Sequence, residues 1–301
     1  MTTQSAELDL HPVYRFSGLG RPLDPARTID KVVLIAVAVA CVCAAAWGWW
    51  VDGDAPLGVG WAGVHAAVVL VLSWALTREL APDDKLAGFV AVGLVALMWP
   101  RFASRTEGLD LAVLAGTLLA VRLVTRSVGK PATAWDAPVA SALFLAVGVW
   151  ASWTLVALGT VALALDAWLP APNHGPRKRH MFYALGLAAA TLVLVLSADA
   201  PLEIPAHPLV LAILGGLVAL AVITVPEPLA LGDVDREPLD HTRVRSGLGL
   251  GLAAALLLSV DSGLPLFAVA PHWACLSAVC VGAVILAVRR RLSTRDRKVG
   301  S

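Results

Sequence analysis

Three histidines, His65, His207 and His272, each follow a short phrase that the chain repeats: "VDGDAPL" (51–57), "DAPL" (199–202) and "VDSGLPL" (260–266). They trail the proline by nine, six and seven residues, which sets each imidazole one to two turns inside the helix that the phrase opens. Neutral imidazole binds metals and carries protons near neutral pH. With Asp54, Asp199 and Asp261 beside them, the three copies form a candidate polar cluster at one face of the protein, provided the copies share an axis. The sequence holds no tight HxxxH or HxH pair, so the spacing predicts no metal centre and no cofactor. Helix capping accounts for the same phrase. Asp accepts from free N–H groups at a helix start, and Pro tolerates the first turn because it has no N–H to lose.

A second group of acids, Asp233, Asp235 and Asp240, lies in "LGDVDREPLDHTRVRSG" (231–247). Carboxylates in such a loop can hold a divalent cation against a diphosphate. The loop resembles the aspartate-rich motif of intramembrane prenyltransferases, N-D-x-x-D-x-x-x-D, although the spacing differs and the Asn is missing. "APDDK" (81–85) stands where the second acidic loop of that family would be needed. The resemblance implies a membrane-embedded enzyme acting on a lipid headgroup or prenyl diphosphate at the cytoplasmic face, and this is the alternative function. The four cysteines form no CxxC pair and read as inert thiols.

These groups must be positioned by apolar elements. The chain has 301 residues, 58% hydrophobic and only 15% charged, against roughly 25% charged in an ordinary soluble domain. Its apolar stretches fall near 31–51, 57–77, 86–100, 110–126, 137–152, 154–169, 181–198, 207–225, 246–260 and 267–288, close to the ~20 residues a helix needs to cross a bilayer. The expected fold is all-α, a polytopic integral membrane protein of about ten transmembrane helices. No short apolar run before a cleavage site marks the first 30 residues, so the first helix is expected to act as the insertion signal.

Only 137–169 is ambiguous, since it could be one helix of about 50 Å or two short ones. Lys and Arg favour cytoplasmic loops. With two helices there and the N-terminus inside, 21 of the 23 Lys and Arg lie inside, leaving Arg101 and Arg105 outside; a single helix gives 9 inside and 14 outside. Ten helices with both termini cytoplasmic follow, with a bend near 148–153. Eight of the 11 tryptophans then lie toward the outer interface, a level that suits their amphipathic rings.

"RPLDPAR" (21–27) and "EPLDHTR" (237–243) each precede an apolar helix, the VD phrase and a second helix ending in cations. The unit is a helical hairpin, and because it contains two spans its copies share one orientation. The expected organisation is a tail at 1–30, one transmembrane domain at 31–288 made of hairpins 31–77, 86–126, 137–169, 181–225 and 246–288, and a basic tail at 289–301. Residues 1–20 and 293–301 are expected to be poorly packed. Ten helices in about 300 residues also resemble the drug/metabolite transporters, whose repeat is inverted where this one is parallel.

Ionisable groups near the bilayer centre are scarce, which disfavours a proton-coupled pump. The expected function is non-enzymatic, either a permease for a weakly polar solute or a membrane component of an assembly. A solute path, if present, is expected beside Gly215 and Gly216 with His207 at its outer mouth. Expected partners are the lipid bilayer and either a partner membrane protein or a second copy of this chain. A net charge of +1 gives no reason to expect nucleic acid. Arg outnumbers Lys 18 to 5, and the expected location is the cytoplasmic (inner) membrane of a prokaryote. Reporter fusions ending at Lys130 and at His174 should report the same side of the membrane. Opposite sides would mean that 137–169 crosses once.

Overall fold

The computed structural model of the protein describes residues 17, 19, 28–52, 56–102, 108–128, 133–170, 177–197, 202–205, 207–233, 237–262 and 264–299. Among these the chain forms ten α-helices: α1 Thr28–Trp47, which continues as a π-helical turn over Gly48–Asp52, α2 Pro56–Leu80, α3 Lys85–Phe102, α4 Leu109–Thr125, α5 Asp136–Trp150, α6 Trp153–Trp168, α7 Arg177–Ser197, α8 Pro208–Thr224, α9 His241–Ser259 and α10 Leu266–Val299. No strand is present among the described residues beyond two isolated antiparallel bridges, Leu202 with Asp261 and Leu231 with Pro238. Four helices, α1, α2, α7 and α10, contain a stretch long and apolar enough to cross a membrane. Helices α3, α5, α6 and α8 are apolar but shorter.

The helices alternate in direction, as contacts at their ends show. The start of α1 meets the end of α2 (Asp30 with Arg78), and the end of α6 meets the start of α7 (Asp166 with His180). These contacts define the N-terminal face. At the opposite face the loop before α10 meets the junction of α5 and α6, where Thr154 donates to Asp261 at 3.0 Å. Helix α4 lies in the middle, with 12 of its 17 residues buried. Helices α1, α7 and α8 lie outside and turn apolar side chains outward, including Ile35, Val42, Phe182, Leu196, Leu209 and Ile223. An exterior of this kind is the reverse of a soluble bundle, whose outer stripe is polar.

The stretch 137–169 is broken as charge required. Ala151 and Ser152 separate α5 from α6. Ser152 is extended and accepts from the Thr154 N–H, which caps α6. Two glycines then let the helices fold flat on each other. A Cβ on Gly159 would stand 2.4 Å from the Phe144 ring, and one on Gly148 would stand 2.0 Å from Val156 Cγ2. Gly247 and Gly251 serve α9 in the same way, against Thr125 at 2.4 Å and Leu80 at 2.8 Å.

Several boundaries differ from those read in the sequence. Helix α9 begins at His241 because Asp240 caps it, accepting from the Arg243 N–H at 2.9 Å. Helix α10 runs on through "RRRLSTRDRKV" to Val299. Hydropathy ends at the first arginine, but Arg, Leu and Lys are good helix formers and no glycine or proline intervenes. Ser17 and Leu19, assigned to an unpacked tail, are docked: Ser17 donates to Asp136 at 2.6 Å, and the Leu19 carbonyl accepts from Arg122 at 3.4 Å.

Gly159→Ala should therefore destabilise the detergent-purified protein by about 1–3 kcal/mol, measured by thermal or denaturant unfolding, and Phe144→Leu should recover part of the loss. Gly216→Ala, which would meet nothing within 4 Å, should be neutral or gain about 0.4–1 kcal/mol. Equal stability of the two alanine variants would contradict this packing.

Candidate functional site

The N-terminal face carries two adjoining cavities. The first, of about 430 Å³, is lined by charges of both signs: Asp30, Asp83, Asp84 and Asp233 with Arg78 and Lys85. The second, of about 380 Å³, is apolar and lies between α8, α9 and α10, with Ala221, Val225, Val244, Leu248, Val279 and Ala283 in its wall. Pro82, Asp83 and Asp84 belong to both. Two further cavities are apolar grooves, one of about 470 Å³ among α1, α2 and α3 and one of about 250 Å³ among α2, α4 and α5.

The wall between the first two cavities is the tight turn joining α2 to α3. The Asp84 N–H donates to Ala81 O at 3.1 Å. Oδ1 of Asp84 then accepts from the N–H groups of Leu86 at 2.9 Å and Ala87 at 3.3 Å, capping α3. Asp83 points the other way, toward the chain after α8. It accepts from the N–H groups of Leu229 at 3.0 Å and Ala230 at 2.7 Å. That segment is a short ribbon, closed by Gly232 N–H to Glu237 O at 2.8 Å and Leu239 N–H to Ala230 O at 3.0 Å. The floor is Trp74, whose ring fits over Gly88, where a Cβ would stand 2.9 Å from it. The Arg78 guanidinium lies over the same ring, 5.2 Å from its centroid, within cation–π range.

Below this face the helices are tied by Asp166, at the end of α6. Arg126 grips it with two bonds, Nε to Oδ1 at 2.6 Å and Nη2 to Oδ2 at 2.7 Å. Arg243 donates to Oδ1 at 2.9 Å, and His180 pairs with Oδ2. Arg243 is 1% exposed. Its remaining donors reach Pro170 O at 2.6 Å, Val124 O at 2.9 Å, Leu169 O at 3.1 Å and Asp166 O at 3.4 Å. All five N–H groups of the guanidinium are thereby used. Two arginines on one carboxylate leave excess positive charge, which faces the unpaired carbonyls, and so the negative dipole ends, of α4 and α6. Arg126 has φ 48°, the one positive φ at a non-glycine among the described residues. That conformation costs about 1–2 kcal/mol, and the bidentate pair offsets it. Glu79, buried, pairs with Arg122 at 3.1 Å in the same layer.

The candidate residues read from the sequence fall in different places. Asp233 lines the polar cavity with Asp83 and Asp84. Asp240 is engaged as the α9 cap, and Asp235 lies outside the described residues. On the opposite face His65 pairs with Asp110 of α4 at 2.9 Å, between the rings of Trp61 and Trp99. Asp261 bonds Ser152 and Thr154 of α6. His272 is fully buried beside the Gly251 backbone, with no hydrogen-bond partner for either ring nitrogen among the described residues. His207 is exposed at the start of α8. Asp54 and Asp199 lie outside the described residues. The side chains of His65 and Asp261 thus bond different helices, α4 and α6, and His272 lies against a third, α9. No group of three His, Cys, Asp or Glu among the described residues could hold a metal ion together.

Gly215 packs toward Leu256 of α9, with 3.5 Å from its virtual Cβ to Cδ2, and Gly216 lies on the exposed side of α8. Neither lines any of the four cavities. The cysteines are free, with Cys275 donating to Ser73 O at 3.4 Å and Cys43 exposed. Sequence reading missed the Asp166 network and the role of Asp83 and Asp84. The available signal was that Asp166, Arg126 and Arg243 each stand at the end of an apolar run and, given alternating helices, at the same face.

The fold and site define an all-helical bundle with four helices suited to crossing a membrane and a two-part cavity at one face. No family model, curated protein or solved structure matches the chain.

Replacing Arg243 by Met should cost about 3–5 kcal/mol of stability, the scale for breaking a buried ion pair. Lys should recover little, since one ammonium cannot reach five acceptors. In unfolding measurements the loss from Arg243→Met with Asp166→Asn should fall below the sum of the single losses. Additive losses would show that the two residues act separately.

Proposed function

We propose that the chain is a multi-pass protein of a prokaryotic inner membrane, with both termini cytoplasmic, and that it is a non-enzymatic membrane component working at its cytoplasmic face. On this reading it takes up an amphiphile in the paired cavities and passes no solute across the bilayer. The apolar exterior of α1, α7 and α8 supports membrane embedding. The lysine and arginine distribution supports the orientation, because Arg78, Arg122, Arg126 and Arg243 all sit at the N-terminal face.

The observation that carries the reading is the distribution of buried charge by height. Ion pairs lie toward the two faces, while the middle is packed with Val69, Val95, Leu114 and Leu276, each fully buried. A transport path needs broken helices, free carbonyls or charges at mid-depth. Of the mid-helix threonines, Thr160 and Thr191 bond carbonyls of their own helices, Val156 O and Leu187 O, and Thr117 is buried with no partner among the described residues.

A second reading is an enzyme acting on a lipid diphosphate at the same face. It is favoured by the meeting of Asp83 and Asp84 with Asp233 in one cavity. It needs three acids converging on a divalent cation, whereas Asp83 and Asp240 are engaged by backbone N–H groups.

Cysteine labelling tests the proposal in a background with Cys41, Cys43, Cys275 and Cys280 replaced. A membrane-impermeant maleimide should label Glu203→Cys in intact cells and Lys85→Cys only after permeabilisation. Thr117→Cys and Val218→Cys, buried at mid-height, should label from neither side. Labelling of either mid-height position from outside would establish a passage and overturn the non-transport reading. Reversed sidedness of Lys85→Cys and Glu203→Cys would overturn the orientation.

A further inference from the structure

We infer that the apolar groove among α2, α4 and α5 seats one anionic phospholipid, with its phosphodiester on Arg122 and one acyl chain along the groove. The inference rests on the membrane reading above and concerns a site apart from the paired cavities. The groove has a volume of about 250 Å³, and its walls include Leu19, Leu72, Leu119, Leu143, Phe144 and Val147. Arg122 is the one ionisable side chain among the described residues that line it. It stands one turn before the end of α4 at Thr125, toward the N-terminal face. Ala115, two turns earlier on the same helix, also lines the groove, so the apolar wall runs about 10 Å from Arg122 toward mid-height. Ala115 is exposed and Leu143 is 49% exposed, which opens the groove to the side. Sites that enclose a whole small molecule have about 300–1,000 Å³. This one is smaller and open, and so it takes the first part of a chain and leaves the rest in the bilayer.

The head follows from the donors that Arg122 keeps. Its Nε donates to Glu79 Oε1 at 3.1 Å and its Nη1 to the Leu19 carbonyl at 3.4 Å. A guanidinium carries five N–H groups. Three are therefore left without a partner among the described residues, including both on Nη2. The side chain is 17% exposed, so a ligand can reach it. Guanidinium donors in an apolar wall favour an anionic oxygen over a neutral one, and the planar group suits phosphate. The surroundings add to this preference. Arg126 stands one turn further along the chain, and with Arg243 it leaves excess positive charge around Asp166. The ammonium of a choline or ethanolamine head would be repelled there. A phosphodiester stays ionised in such a place, whereas burial favours the neutral form of a fatty acid's carboxyl. An anionic phospholipid is thus selected over a zwitterionic one by its net charge, and over a fatty acid by the persistence of that charge.

The test uses the purified full chain, delipidated in detergent and titrated with dioctanoyl phosphatidylglycerol, phosphatidylcholine or phosphatidylethanolamine, with laurate, or with soluble glycerol 3-phosphate. Native mass spectrometry counts the bound molecules, and the thermal midpoint follows saturation. Phosphatidylglycerol should bind saturably, at least about tenfold tighter than either zwitterionic lipid, a difference of about 1.4 kcal/mol. Arg122→Gln combined with Glu79→Gln removes both charges of the pair, so that neither is stranded, and should erase that preference. Ala115→Trp fills the groove from its exposed wall without touching the pair, and should weaken phosphatidylglycerol by a similar factor; it decides the matter alone should the double variant not fold. An amphiphile in the paired cavities would be untouched by either change. Equal binding of the three phospholipids, no saturable binding, or undiminished phosphatidylglycerol binding in either variant would overturn the proposal. Laurate or glycerol 3-phosphate binding as tightly as the lipid would overturn it too, in favour of a carboxylate or a soluble anion. A negative lipid result with the expected labelling pattern removes this inference and keeps the non-transport, inner-membrane assignment, whereas failed labelling removes that assignment whatever lipid binds.

Discussion

The arrangement of the bundle depends on a single carboxylate. Asp166 has about four lone-pair positions, and all four are filled, two by Arg126, one by Arg243 and one by His180. Those partners come from the end of α4 and the starts of α9 and α7. One side chain therefore fixes the ends of four helices in a common plane. Because α6 ends there, it also fixes where the α5–α6 hairpin sits. Hydrophobic packing has little directional preference, and between helices in lipid it offers no gain over the solvent. Side-chain geometry of this kind supplies the register that apolar contact alone leaves open. Removing one partner would strand the rest in a place with no water to take over the bonds.

The N-terminal face carries this network, and the cavity lined by charges lies at the same face. The turn between α2 and α3 has two adjacent aspartates with opposite duties. Asp83 holds the ribbon that follows α8, and Asp84 begins α3. Both duties use backbone donors that would otherwise be orphaned. What is left over, the second oxygen of Asp84 and the hydroxyl of Ser127, marks where the fold's own hydrogen bonding stops. The opposite face is built differently. Its bonds, His65 to Asp110 and Asp261 to Ser152 and Thr154, are each between two elements and form no larger net among the described residues.

The elements were more legible than their contacts. Apolar run length and the placement of cations are local and additive along a chain, so ten helices and a break between Trp150 and Trp153 could be read directly. Helix ends were less legible where capping and propensity override hydropathy, as at His241 and Val299. The Asp166 network was not legible, because its members stand up to 77 positions from Asp166 itself and each reads alone as a charge snorkelling at a helix end. The repeated VD phrase shows the same limit. Two copies do meet, through the Leu202 and Asp261 bridge and the Glu203 N–H to Val260 O bond at 2.8 Å, yet of the histidines that follow them His207 is exposed and His272 is buried. A repeated phrase specifies a repeated local shape, and neighbours differ even where shapes recur.

The sequence separation inside the Asp166 network also has a consequence for the order in which the protein is made. Arg126 precedes Asp166 by 40 residues, so that pair can form as soon as α6 has emerged. His180 follows within 14 residues, but Arg243 follows only after 77. At ~5–20 residues per second, the ribosome takes about 4–15 s to cover that distance. Throughout this interval the carbonyls of Val124, Leu169 and Pro170, which Arg243 will bond, must find other donors. The first eight helices are therefore made before the bundle's final lock exists, and the arrival of α9 closes a structure whose earlier parts have been waiting for it.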